Sequence, residues 1–153
     1  MSCAPIEDEP SIRERLVHIA LAWESRFGNA PAITSAISEY DAAMLLGMSE
    51  DEYSACMSGV SAVRRGYDFR CRGQRIQVKA NRPSGKPGSR VTLVPKASNF
   101  EWDQLVWILY DVRYVILEAW QWDVERYRET FLTVRRLSPA HYRQGTSLFS
   151  RDS

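Results

Sequence analysis

Asp68, Gln77 and Lys79 are the residues whose types and spacing have the makings of chemistry. They belong to the stretch Gly66-Tyr67-Asp68-Phe69-Arg70-Cys71-Arg72-Gly73-Gln74-Arg75-Ile76-Gln77-Val78-Lys79, whose alternating pattern reads as a β-hairpin turning at Arg72-Gly73. With a two-residue turn, Cys71 faces Gln74, Phe69 faces Ile76 and Asp68 faces Gln77. Opposed side chains on one face of an antiparallel pair lie about 5 Å apart at Cβ. A carboxylate and an amide oxygen then converge, with the ammonium of Lys79 two residues further along the same face, and such a set suits a divalent cation. A longer turn shifts the register and points Asp68 away from Gln77.

The elements that must position this set follow in order. Residues 1–10, polar and proline-bearing, read as a flexible segment, and residues 11–153 as a single domain. Ser11 with Glu14 forms a capping box for a helix whose stripe Leu16, Ile19, Ala20, Trp23 and Phe27 is expected to be buried, ending near Gly28-Asn29. A second helix follows Pro31 and stops at Gly47. Glu39 and Asp41, two apart, point to different sides of it, so only one faces the hairpin. Ser49 caps a short third helix running to about Met57. After the hairpin, Ala80 to Arg90 reads as a basic loop, Val91 to Val94 as a strand, Gln104 to Asp111 as a buried central strand, and Tyr114 to Trp120 as another. Asp123 caps a helix, Ser138-Pro139 opens a short turn, and the tail from Gly145 carries no pattern. Helices, then about five strands, then helices imply an α/β domain with a mixed sheet. Trp102, Trp107, Trp120 and Trp122 read as core rather than as a base-stacking platform.

Asp68, a short hairpin and Gln77-Val78-Lys79 resemble the active-site motif of the PD-(D/E)xK nuclease superfamily, in the variant where Gln replaces the second acid. The helix Ser38-Glu39-Tyr40-Asp41-Ala42-Ala43-Met44-Leu45-Leu46-Gly47 is similar to the opening helix of many small members, and the matched elements span roughly residues 31 to 123. The resemblance implies a restriction-endonuclease-like fold and a Mg2+ or Mn2+ dependent endodeoxyribonuclease. It implies Asp68 as the principal metal ligand, with the side-chain oxygen of Gln77 and the main-chain carbonyl of Val78 beside it. Lys79 is implied to orient the attacking water or take its proton, and Glu39 to hold a metal-bound water or second ion; Glu24 is the alternative helical acid. The proline before Asp68 is missing, and neutral Gln77 removes one charge from the ligand set.

Charge distribution points the same way. The net charge of +1 argues for no polyanion partner, yet residues 64–96 hold ten Lys and Arg against one acid, Asp68. Arg64, Arg65, Arg70, Arg75, Arg82, Lys86 and Arg90 are the expected nucleic-acid contacts. The expected partner is duplex or branched DNA, cut by a homodimer or higher homo-oligomer, since one small domain offers one site. The competing readings are a DNA-binding module without catalysis and a protein-interaction domain whose basic strip meets an acidic partner. At 44% hydrophobic and 25% charged residues the composition is that of an ordinary globular protein. The acidic start Glu7-Asp8-Glu9 and the lack of a long apolar run argue against a signal peptide or membrane span and for the cytoplasm. Cys3, Cys56 and Cys71, odd in number and unpaired in spacing, suit reduced thiols.

Overall fold

A computed structural model describes residues 8–58 and 66–151. The chain divides into two compact units, Met1–Ile33 and Thr34–Ser153, so the division falls after Ile33 where the sequence suggests one domain from residue 11. Among the described residues, no helix is long and apolar enough to cross a membrane.

The first unit contains α1, Ile12–Phe27. Its start is the expected capping box: Ser11 Oγ accepts from the Glu14 amide at 3.1 Å, and the Glu14 carboxylate accepts from the Ser11 amide at 3.3 Å. Gly28, with φ at +84°, closes it in the left-handed conformation that lacks a steric penalty only for glycine. The expected buried stripe is corrected. Val17 and Ala20 are buried, while Ile19, Trp23 and Phe27 are 62%, 52% and 59% exposed. The period identifies an apolar arc, and this arc is wider than the face that is covered.

The second unit is a five-stranded mixed sheet in the order β1-β2-β3-β4-β5, flanked by helices. The strands are β1 Phe69–Cys71, β2 Gln74–Asn81, β3 Gln104–Tyr110, β4 Ile116–Asp123 and β5 Thr146–Ser150. Only β2 and β3 run parallel; the other neighbours are antiparallel. The helices are α2 Thr34–Leu45, α3 Glu50–Met57, α4 Val124–Phe131 and α5 Pro139–Tyr142. Caps predicted from sequence start three of them: Ser49 with Glu52 for α3, Asp123 accepting from the Arg126 amide for α4, and Ser138 followed by proline for α5.

The count of five strands matches the expectation, but their identity differs. Val91 to Val94 forms no strand; Val94 makes one isolated bridge, to Leu137. The fifth strand comes from the tail, beside β4. β3 is buried along almost its whole length, as its apolar run requires. Paired residues share a face, so Leu105, Trp107 and Trp122 lie together against Trp102, Tyr127, Phe131 and Tyr142. On the opposite face, α2 packs on β2 and β3, and α3 packs on β1. There Tyr53 meets Phe69 edge-on at 5.9 Å, and the Tyr110 hydroxyl donates to buried Asp41 at 2.6 Å. Trp102, Trp107 and Trp122 are fully buried and Trp120 packs against their cluster, which places the tryptophans in the core as read from sequence. Cys56 and Cys71 are free thiols; Cys3 lies outside the described residues.

Candidate functional site

The hairpin turn sets the site's register. Arg72 and Gly73 both have positive φ, 49° and 80°, the two-residue conformation whose twist suits antiparallel strands. For a non-glycine residue this costs about 1–2 kcal/mol. Compensation comes from the Arg72 guanidinium, which donates to the carbonyls of Leu46 at 2.9 Å and Gly47 at 3.3 Å, at the carboxyl end of α2. The turn therefore fastens hairpin and helix together. Cys71 pairs with Gln74 and Phe69 with Ile76, as anticipated from sequence, but the ladder ends there and the expected Asp68–Gln77 pair is corrected: Asp68 bonds instead to the main chain of Ile76 and Val78.

β1 is only three residues long, so among the described residues no strand pairs with the outer edge of β2 beyond Ile76. Asp68 occupies the first part of it. Its amide donates to the Ile76 carbonyl at 2.8 Å, and its carboxylate Oδ2 accepts from the Val78 amide at 2.7 Å. An amide and carbonyl of one strand residue point the same way, so the Val78 carbonyl lies on the edge where Asp68 sits. Where β1 has run out, a cleft of about 300 Å³ opens over this edge. Glu39 of α2, Asp68, and Gln77, Val78 and Lys79 of β2 all line it. Every residue expected to act at the metal or on the water thus borders one cavity. Glu24, the alternative acid, belongs to α1 in the other unit. Asp41, two residues from Glu39, is 4% exposed and holds Tyr110, so the two acids do point apart.

Sequence reading missed five of the residues that line the cleft: Thr34, Ser35, Ser38, Ala80 and Pro95. Thr34 and Ser35, in the first turn of α2, line the cleft on the side of Glu39. Their only signal was their place at the start of a helix, an end that favours anions. Pro95 forms part of the facing wall. It lies in a segment fastened residue by residue to the layer formed by α4 and α5. The Val94 amide donates to Leu137, the Tyr142 hydroxyl to the Pro95 carbonyl, the Lys96 ammonium to Val134 and the Ala97 amide to the Tyr127 hydroxyl. Burial raises both tyrosine hydroxyls above their ordinary range, so they remain protonated hydrogen-bonding groups.

The donor set tests whether a metal fits. It offers oxygen alone: two carboxylates, a carboxamide and a main-chain carbonyl. Among the described residues, no three His, Cys, Asp or Glu side chains gather in one place. That composition fits Mg2+, a hard cation that keeps several waters and is commonly held by one or two carboxylates plus substrate phosphates.

The expected nucleic-acid contacts divide by what already holds them. Lys86 and Arg90 are exposed on the loop between β2 and Val94. Arg70 is exposed, with its guanidinium 5.2 Å from the Tyr67 ring centre. Arg82 donates to the Val112 carbonyl and lies 4.5 Å from the Tyr114 ring centre, which anchors the start of the loop. Arg75 makes a two-pronged ion pair with Asp103, at 3.2 Å through Nε and 3.1 Å through Nη2. Arg64 and Arg65 lie outside the described residues.

The Arg75 pair carries a pH prediction. Hydrogen bonds from the Arg75 side chain and amide hold the Asp103 carboxyl below its usual range. A depressed folded pKa gives stability that is present above the ordinary aspartate value, about 3.9, and lost as pH falls through the folded value. Asp103→Asn is therefore expected to lower the melting temperature near neutral pH by no more than about 2–4 °C. The gap to wild type should close below pH ~3.9, as wild type loses the same charge. Melting curves across pH 2–7 check this, and a gap that widens in acid rejects it.

No protein-family model matches the chain, and no curated protein matches it.

Proposed function

We propose that this protein is a metal-dependent endodeoxyribonuclease of the PD-(D/E)xK superfamily with a restriction-endonuclease-like fold, acting on duplex or branched DNA in the cytoplasm. One observation carries the reading: Glu39, Asp68, Gln77 and Lys79, drawn from a helix, the approach to a hairpin and a strand, line one cleft. Mg2+, or Mn2+ in its place, would be held by Asp68, Gln77, the Val78 carbonyl and Glu39. Bound there, it would supply Lewis acidity toward a phosphodiester and lower the pKa of water.

The chain's own groups account for the rest. The Val78 amide donates to Asp68 Oδ2 and so holds this carboxylate at the border of the cleft. Lys79, two residues beyond Gln77 on the same strand face, orients the attacking water and offsets phosphate charge. Lys86 and Arg90 attract the DNA backbone. A second reading, a DNA-binding module without catalysis, is favoured by the neutral Gln77. A protein-interaction domain meeting an acidic partner ranks third.

Supercoiled plasmid incubated with the protein and Mg2+ or Mn2+ separates these readings. Nicked or linear product that disappears with chelator is expected. Salt-sensitive binding with no cleavage under either ion would select the second reading and end the first. No DNA binding at low salt would favour the third.

A further inference from the structure

The apolar arc of α1 is only half used. Val17 and Ala20 are buried, yet Ile12, Ile19, Trp23 and Phe27 stand 76%, 62%, 52% and 59% exposed, with half-buried Leu16 between them. At ~100° per residue these five side chains fall within one stripe beside the buried pair. Ile12, Leu16, Ile19 and Trp23 are spaced by four, three and four, the spacing of a helix-pair seam. Trp23 and Phe27 already rest ring against ring at 4.6 Å. Exposed aromatic and branched residues in a continuous row mark an interaction site.

We propose that this stripe is the contact between two copies of the chain, α1 against α1 in antiparallel orientation about a two-fold axis. In that register Ile12 meets the partner's Trp23 and Leu16 meets the partner's Ile19, so these four apolar residues find apolar partners, while Phe27 lies past the end of the seam. The charges agree. Arg26, in the last turn, comes to the end of the partner helix preceded by Asp8 and Glu9, and the two helix dipoles oppose one another. A membrane surface is the poorer occupant. The polar face of α1 mixes Glu14, Arg15, His18 and Arg26, whereas a helix lying on anionic lipid is rich in Lys and Arg there. The inference stands apart from the chemistry of the cleft, and it supplies the paired sites that cutting two strands requires.

Sedimentation equilibrium of the full chain over a range of concentrations tests it without any activity measurement. Wild type should dimerise, and Trp23→Glu should weaken the dimer by at least ~30-fold, as expected for a central aromatic anchor. Arg26→Glu alone and Glu9→Arg alone should each weaken it about two- to fivefold, and the double variant should recover most of that loss. Helix content by circular dichroism identifies any variant that fails to fold, and the charge-swap set tests the pairing independently of Trp23. A monomeric wild type at ~100 µM would overturn the proposal. So would a dimer indifferent to Trp23→Glu, charge variants that do not compensate, or a monomer that binds anionic vesicles through α1.

Discussion

Lys79→Ala is expected to reduce metal-dependent DNA cleavage by about 10²- to 10⁴-fold, the range for removing a group that handles a proton in the transition state. Affinity for DNA at low salt should fall only slightly, because one cation among many phosphate contacts is lost. That split is the informative part. Lys79 borders the cleft near the end of β2, and the loop carrying Lys86 and Arg90 follows that strand. If its role were only to attract the backbone, cleavage and binding would fall together, and raising the protein concentration would restore the rate. Single-turnover cleavage at saturating protein, paired with a binding isotherm, makes the distinction. Equal cleavage by variant and wild type would remove Lys79 from the mechanism and with it the nuclease reading.

The site was legible where neighbours in sequence are neighbours in space. Asp68 and the Gln77-Val78-Lys79 run are joined by a turn whose glycine and alternation fix the register up to Phe69–Ile76, so their nearness could be read from spacing, but not that Asp68 leaves the ladder to bond the Val78 amide instead of facing Gln77. Ser11 with Glu14 and Ser49 with Glu52 are likewise local, and each forms the reciprocal cap its sequence announces. Where the partner is remote, the sequence is silent. Arg75 looks like one cation in a basic run, and its engagement appears only when Asp103 is brought to its side. Val91 to Val94 has strand composition but only one residue bridges, while Thr146 to Ser150 looks nondescript and completes the sheet beside β4. Backbone pairing across the sheet, rather than side-chain type, decides such cases. The pattern of α1 gave the apolar arc but not which half of it is covered.

Trp107→Ala is expected to cost about 3–5 kcal/mol of folding stability, the range for truncating a large buried aromatic residue. Marginal domains hold only about 5–15 kcal/mol in total. Trp107 is fully buried in the middle of β3 and stacks on Tyr142 at 5.3 Å. Its indole N–H also donates to Asn81 Oδ1 at 2.9 Å, and the Asn81 amide donates to the Leu93 carbonyl at 3.3 Å. One ring therefore supports the core, the end of β2 and the return of the basic loop. It is also the register partner of Lys79, so the cavity left by truncation opens beside the cleft. Trp107→Phe keeps the packing body and loses the N–H donor, and should cost less, about 1–2 kcal/mol. Urea unfolding curves measure both. If the two variants were equally unstable, the indole hydrogen bond would outweigh the packing; if Trp107→Ala were as stable as wild type, the ring would not be the keystone between the core and the strand that carries Lys79.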